Sequence, residues 1–263
     1  MGKNTRSKSG SSLTSKWIKT KVLLQSPEIS SLIPETTRFT RSNLRTMLHK
    51  YRMVYVKPER GTYGNGVMRV EQSAQSGAVA YKYQSGVKIK TFGAFEPFYT
   101  SLNKATRGRS YLIQRGIALL KHGDLRFDIR VMVQLSPRGK WETTGLIGRV
   151  AARGKIVTNY HSGGKPTAVG KLLAPHMSPG LQAQVMKRLS RLGEDIGRFY
   201  QKKGRGFTQL GVDVGLDRSM TPWIIEVNTN PDPYIFNQLA DKSMYRKVMA
   251  YRRAQKNKKK VSR

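Results

Sequence analysis

The chain has 263 residues, no cysteine, and 49 Lys and Arg against 15 Asp and Glu, a formal net charge of +34. The lack of cysteine excludes a disulfide-stapled fold, a thiolate-ligated metal or iron–sulfur site, and cysteine nucleophile chemistry. The charge favours polyanionic partners and says nothing about fold. At about 150 residues per domain the length corresponds to one large domain or two small ones. No apolar run reaches the roughly 18 residues of a membrane span, the longest being 116–120 before Lys121. The basic N-terminus is followed only by Val22-Leu23-Leu24, too short for a signal core, and Arg6 stands where myristoylation needs Ser or Thr. The expectation is a cytoplasmic protein without membrane insertion.

In chain order, residues 1–27 contain no acid and read as a basic flexible arm. The spacing of Phe39, Leu44, Met47, Leu48 and Tyr51 predicts a helix over 36–51, capped by Thr36 or Thr37. Strands follow at 53–56 and 67–70, separated by a glycine loop. A hairpin is expected at 78–92 around Gln84-Ser85-Gly86, and then a helix at 96–104. Further strands are predicted at 111–114, 127–135 and 141–152, the last two joined by Ser136-Pro137-Arg138-Gly139. Leu181, Val185, Leu189, Leu192, Ile196 and Phe199 form one apolar face of a long helix. Strands at 207–216 and 222–227 close the pattern, and 246–263 form a basic tail expected to continue a helix before it frays. Strands and helices without strict alternation give an α+β fold dominated by antiparallel sheet.

Two segments carry chemistry. In Lys57-Pro58-Glu59-Arg60-Gly61-Thr62-Tyr63-Gly64-Asn65-Gly66 the glycines let backbone N–H groups approach phosphate oxygens. Val67-Met68 in place of Lys-Ser/Thr, and a following strand in place of a helix, exclude a P-loop and a dinucleotide fingerprint. A protein kinase is excluded by the missing HRD and DFG segments. What remains is a flap between two strands with Lys57 at its base, or an ordinary glycine-rich hairpin. In the second segment Glu226 and Asn228, two apart on one strand, face the same side, with Ile225 and Val227 on the other. Pairing across the turn brings Asp213 beside them, a hard oxygen cluster suited to Mg²⁺. The alternative is that Asp213 and Glu226 pair with nearby arginines, which gives no reason for the amide of Asn228.

A flap with a basal lysine followed much later by Asp and then Glu-x-Asn resembles the ATP-grasp superfamily. The match is closer to the YheC/YheD family, proteins associated with endospore coats. It is carried by Pro34-Glu35-Thr36-Thr37-Arg38, Tyr55-Val56-Lys57-Pro58, Leu112–Ile117, Phe127–Val131, Thr144-Gly145 with Arg149-Val150, Val157-Thr158-Asn159 with Gly163-Gly164, and Glu226-Val227-Asn228, over about residues 32–240.

The resemblance implies an ATP-grasp domain at 28–245 with nucleotide between the sheets of two α+β subdomains. The smaller, about 50–110, carries the flap; the larger, about 111–245, carries the metal side. A full N-terminal pre-ATP-grasp domain is expected to be lacking. Lys57 would contact ATP phosphate under a flap built on Gly61, Gly64 and Gly66. Gln114, Arg115 and Ile117 would lie along the adenine edge, and Asp128 near ribose or phosphates. Arg130, beside Asp128, would face ribose or phosphates and is grouped with Arg149 and Asn159 as catalytic; those two would serve the transferred phosphate or an acyl-phosphate intermediate, with Asp213, Glu226 and Asn228 holding Mg²⁺. Gln209 stands where related sequences often carry an acid, and a second phosphate-binding lysine has no counterpart, which leaves Arg38 or Arg41 to replace it.

The function implied is an Mg²⁺- and ATP-dependent carboxylate ligase working through an acylphosphate, spore-associated, whose acid and acceptor have no readable signature. The competing expectation is a non-catalytic structural or packaging protein that binds polyanions, or a spore-coat component, through its basic surface.

Overall fold

The computed structural model describes residues 15–75, 78–204 and 206–261. In chain order these form α1 (Lys16–Leu23), α2 (Pro27–Ser30), β1 (Thr36–Arg38), α3 (Arg41–Tyr51), β2 (Met53–Pro58), β3 (Met68–Gln75), β4 (Ala78–Ser85), β5 (Lys88–Phe92), α4 (Phe95–Thr106) and β6 (Tyr111–Arg115). They continue with β7 (Lys121–His122), β8 (Leu125–Leu135), β9 (Trp141–Val150), β10 (Lys165–Thr167), α5 (Val169–Leu173), α6 (Pro179–Lys202), β11 (Gln209–Leu216), β12 (Pro222–Asn228) and α7 (Ser243–Val261).

The strands form two six-stranded assemblies in which every pairing is antiparallel. The smaller sheet runs β1-β6-β2-β3-β4-β5; the larger runs β10-β9-β8-β11-β12, with β7 beside β8. Alternation decides which side of each strand is buried. On β2, Val54 and Val56 face α3 and α4, joining Leu44, Leu48, Phe98 and Leu102 in one apolar core. That leaves Tyr55 and Lys57 for the opposite face. On β8 and β11, Ile129, Val131, Val133, Leu210, Val212 and Val214 pack under α6, so Asp128, Arg130 and Asp213 face away from it. Gly193 and Gly197 let α6 lie close to the sheet: a Cβ on Gly197 would come within 2.5 Å of the Trp141 ring.

The α+β class and antiparallel sheets are as expected, and the long helix begins and ends close to its predicted bounds. Two expectations change. The helix predicted from Thr36 begins at Arg41, because Thr36 and Thr37 extend into β1 against Gln114 and Ile113, and Thr40 caps α3 by accepting the Asn43 N–H. The expected flexible arm is helical over Lys16–Leu23: Ser15 caps α1, Val22 and Leu23 enter the large core, and the Tyr200 hydroxyl donates to the Lys19 carbonyl at 3.2 Å. Residues 1–14 lie outside the described residues. The basic tail continues α7 to Val261, and Val248 on that helix is wholly buried against Met132, Ile147 and Phe236. Charge made the N-terminal segment look like a free arm, whereas a few apolar residues on one helical face fix it to the body.

Candidate functional site

Between the two sheets lies a cavity of about 680 Å³, within the usual span of small-molecule sites, about 300–1,000 Å³. From the small sheet Lys57 enters it, only 7% exposed, its ammonium donating to Gln114 Oε1 at 2.8 Å and to the Ile225 carbonyl at 3.2 Å. Burial pushes its pKa down to about 8, against the pull of Glu226. Where the chain leaves β6 for the large sheet, Gln114, Arg115, Ile117 and Leu119 line the same space. Arg115 is held by its planar face, 4.8 Å from the Trp223 ring and 5.1 Å from that of Tyr51.

The large sheet contributes a closed lattice of ion pairs, and strand register builds it. Asp128 stands opposite Arg149, and Asp213 opposite Arg130. Arg149 donates to both Asp128 oxygens, at 2.8 and 2.6 Å, and approaches Asp213 Oδ2 at 3.0 Å. Arg130 donates to Asp213 through Nε and, at 3.1 Å, through a terminal nitrogen. Thr158 donates to Asp128 at 2.7 Å. Burial by itself would raise the Asp213 pKa, but the two guanidinium groups outweigh it and hold the carboxyl at about 2. Burial also opposes the Arg149 charge, and Asp128 with Asp213 overcomes it, keeping that guanidinium well above its ordinary value.

On β12 the register shifts beside Asp213, so that Asp213 faces Glu226 and Val214 faces Ile224. Ile225 therefore turns toward the cavity instead of packing with Val227, a correction to the simple alternation expected for this strand. Glu226 and Asn228 do share a side. Asn228 donates its amide to Asp213 Oδ2 at 3.2 Å, which supplies the reason for an amide that arginine pairing alone lacked. Glu226 approaches Lys16 and Lys19 at 3.4 and 3.6 Å, beyond ordinary hydrogen-bond length.

Asp213, Glu226 and Asn228 thus come together, but in different states: Asp213 is clamped by arginines, while Glu226 keeps free acceptor capacity. Among the described residues, no three of His, Cys, Asp or Glu group as a metal cage. A hard cation here fits Glu226 together with the Asn228 amide oxygen and oxygens of a bound ligand.

Across the mouth lies the glycine loop. Gly61 and Gly64 line the cavity. Gly64 has φ 75°, and a Cβ there would come within 3.0 Å of Asn159 Oδ1, so only glycine lets the loop meet the 153–163 segment. Ser162 Oγ donates to the Tyr63 carbonyl at 2.6 Å, and the Tyr63 ring lies 4.3 Å from that of His161. Gly66 is not among the lining residues; it sits at the loop's base, tight against Tyr111 and Pro58. Asn159 lines the cavity, and His161, half-exposed, lies 3.5 Å from Asp232.

The residues that sequence reasoning missed are Lys16 and Lys19. Both line the cavity, and Lys16 donates to the Gly61 carbonyl at 2.7 Å. Lys19 is buried, and desolvation lowers its pKa while Glu226 counters. The expectation that Arg38 or Arg41 stands in for a second phosphate-binding lysine is corrected: Arg38 lies 3.6 Å from Glu59, and Arg41 donates to Glu96 at the surface. The available signal was Ser15 as an N-cap before residues whose apolar members, Val22 and Leu23, close one face.

The sequence model of the YheC/D-like ATP-grasp family matches residues 8–253. Among curated proteins, the endospore coat-associated protein YheD of Bacillus subtilis (strain 168) is 25% identical over 227 residues, 84% of this chain and 49% of its own length. YheC of the same organism is 23% identical over 223 residues, 84% of this chain and 61% of its own length. The chain therefore spans about half to three-fifths of these relatives. Among solved structures, D-cycloserine synthetase DcsG superposes with a TM-score of 0.54 at 11% identity, covering 92% of this chain and 70% of that one. Carboxyaminoimidazole ribonucleotide synthase from Aspergillus clavatus, crystallised with ATP, gives 0.51 at 10% identity, covering 84% and 46%. At such identities these structures speak for the fold.

Proposed function

The chain belongs to the YheC/D-like ATP-grasp family, and we propose that it binds Mg²⁺-ATP between its two sheets and activates a carboxylate for ligation. The observation that carries this reading is the single cavity shared by Lys57 from one sheet and by Glu226, Asn228 and Asp213 from the other, under a glycine loop. In it, Gln114, Arg115 and Ile117 flank the base. Lys57, with Lys16 and Lys19, meets the phosphates, and the N–H groups of Gly61 to Gly66 close from above. Asp128 lies toward ribose or phosphates through the arginine it holds. Glu226, Asn228 and Asp213 are the oxygen-bearing side chains that would hold Mg²⁺, which when bound supplies charge neutralisation at the phosphates.

The residues' own contribution is positioning and a fixed field. Arg130 and Arg149 are each held by carboxylates at two nitrogens, so their charge needs no reorganisation when negative charge develops on a transferred phosphoryl group. Asn159 is placed to donate to it from the loop beside the flap. In the proposed reaction a carboxylate oxygen attacks the γ-phosphorus and ADP leaves. An amine or related nucleophile then attacks the acyl carbon and phosphate leaves. The relatives' names support an association with the spore coat.

A second reading, polyanion binding without catalysis, is favoured by Lys187, Arg188 and Arg191, which lie exposed along the outer face of α6. One experiment separates the two. Millimolar Mg²⁺-ATP raises the melting temperature of the wild-type chain, and Lys57→Ala or Glu226→Ala removes the shift, under the nucleotide reading. An unchanged melting curve, with salt-dependent DNA binding that survives Glu226→Ala, leaves the polyanion reading alone.

A further inference from the structure

Four carboxylates line the cavity, and three of them face lysine or arginine: Asp128 and Asp213 meet the guanidinium groups, and Glu226 meets Lys16 and Lys19. The fourth is Asp232. In a chain with 49 Lys and Arg, it forms an ion pair with none of them among the described residues; its neighbour is His161, at 3.5 Å from Oδ2. Its direction is fixed, because Oδ1 accepts the Tyr234 N–H at 2.9 Å. That cap uses one oxygen. The side chain is 36% exposed, so Oδ2 is open to a ligand in the cavity.

Around Asp232 stand rings that the core does not use. Tyr63, Tyr160 and Tyr234 all line the cavity and all remain exposed, Tyr234 by 56%. His161 ties this rim together: its ring lies 4.3 Å from that of Tyr63 and 5.6 Å from that of Tyr160. A carboxylate without a basic partner, set among π faces, selects a cation. A divalent metal needs a shell of oxygens, whereas rings suit an organic ammonium.

The chain places this rim beside groups assigned above to the transferred phosphate. Tyr160 and His161 follow directly on Asn159. Asp232 follows Pro231, which is wedged near Arg130: a Cβ on Gly211 would come within 2.7 Å of Pro231 and 3.1 Å of Arg130. An amine held here adjoins the point where an acyl carbon would be attacked.

We infer that Asp232, with the rings of Tyr160 and Tyr234, receives the ammonium group of the acceptor substrate. This rests on the proposed ATP-dependent activation of a carboxylate, and narrows its acceptor to a cationic amine. Seven Lys and Arg also line the cavity, so a cation enters once the triphosphate has offset their charge.

The test uses the full chain at pH 7, saturated with Mg²⁺-AMP-PNP and titrated with glycinamide and cadaverine as minimal amine probes, followed by saturation-transfer NMR. N-acetylglycinamide serves as the uncharged control. Wild type is expected to bind at least one amine and not the control. Asp232→Asn should bind the amine about tenfold more weakly, because the amide oxygen can still accept the Tyr234 N–H but the charge is gone. Tyr234→Leu should lose about threefold. Both variants should hold Mg²⁺-AMP-PNP as tightly as wild type. Equal amine binding by Asp232→Asn overturns the assignment, as does binding of the control as tight as that of glycinamide, or no amine binding by a wild type that holds nucleotide. So does an equal loss of nucleotide and amine binding in Asp232→Asn, because Asp232 would then serve the nucleotide or the packing of its loop. A wild type that fails to bind Mg²⁺-AMP-PNP defeats the nucleotide reading and this inference with it, and is distinguished by that first step.

Discussion

On β8, β9 and β11, Asp128, Arg149, Asp213 and Arg130 answer one another across neighbouring strands, and each acid is met by at least two donors. Across the same cavity, Lys16 and Lys19 lie near one carboxylate, Glu226, at 3.4 and 3.6 Å, and Lys57 feels Glu226 and, more weakly, Asp213. Both regions are rich in charge and both are largely buried. In the first, charges compensate one another, so the pairing offsets the desolvation that burial imposes and the sheet presents a rigid field. In the second, burial drives the pKa values of Lys19 and Lys57 down, and the remaining positive charge is an unfilled demand for anionic oxygen. The contrast separates groups that hold the site together from groups that wait for a ligand.

The strongest way to break this comparison is Asp213→Ala. It leaves Arg130 and part of Arg149 buried without a counter-charge, and should cost about 3–5 kcal/mol in urea unfolding. A loss comparable to that of a surface substitution would show that the lattice is not compensated as described. The depressed Asp213 pKa also has a sign. Its stabilising contribution is present above the unfolded value of 3.8 and is lost as pH falls toward about 2. Wild type and variant should therefore converge in stability at low pH.

Lys57 should make stability rise with pH as well, but at the alkaline end, because here it is the charged form that burial disfavours. Its folded pKa of about 8 lies below the unfolded 10.5, so the unfolded chain holds more protons between those values. Stability relative to Lys57→Met should rise from pH 8 to 10.5 and stay flat below 8, measured by denaturant titration at each pH. Phosphate binding should weaken over the same interval as the ammonium is lost. A difference curve without slope would remove the claim that Lys57 is strained by burial.

A smaller effect is expected at the edge where the flap meets the large sheet. Ser162→Ala deletes the bond to the Tyr63 carbonyl and should loosen residues 61–66 by about 0.5–1.5 kcal/mol in amide exchange. Exchange in β8 and β11 should stay as in wild type.

Much of the fold was legible because periodicity is a local property. The four-three spacing of Leu181 to Phe199 names one buried face, and α6 buries it, whereas the strand predicted at 127–135 is buried on both faces from Phe127 to Gln134. The flap was legible in its glycines, and Lys57 in its place at the loop's base. Charge misled where apolar signal was thin. Val22 and Leu23 are enough to dock α1, and Val248 anchors α7, yet each stands in a run of lysine and arginine that resembles a solvated tail.

The sequence by itself determined which strands and helices form, that the sheets are antiparallel, and which side chains could carry phosphate and metal chemistry, because each follows from spacing along the chain. Only the tertiary structure decided which acid meets which base. Strand register set Arg130 against Asp213 and Arg149 against Asp128, and the shift beside Asp213 turned Ile225 inward. Docking of the first and last helices brought Lys16, Lys19 and Arg252 into the cavity. The reason is physical: hydrophobic periodicity is written within a segment, whereas a buried charge is defined by what stands a few ångströms away, and those neighbours lie tens to hundreds of residues distant in the chain.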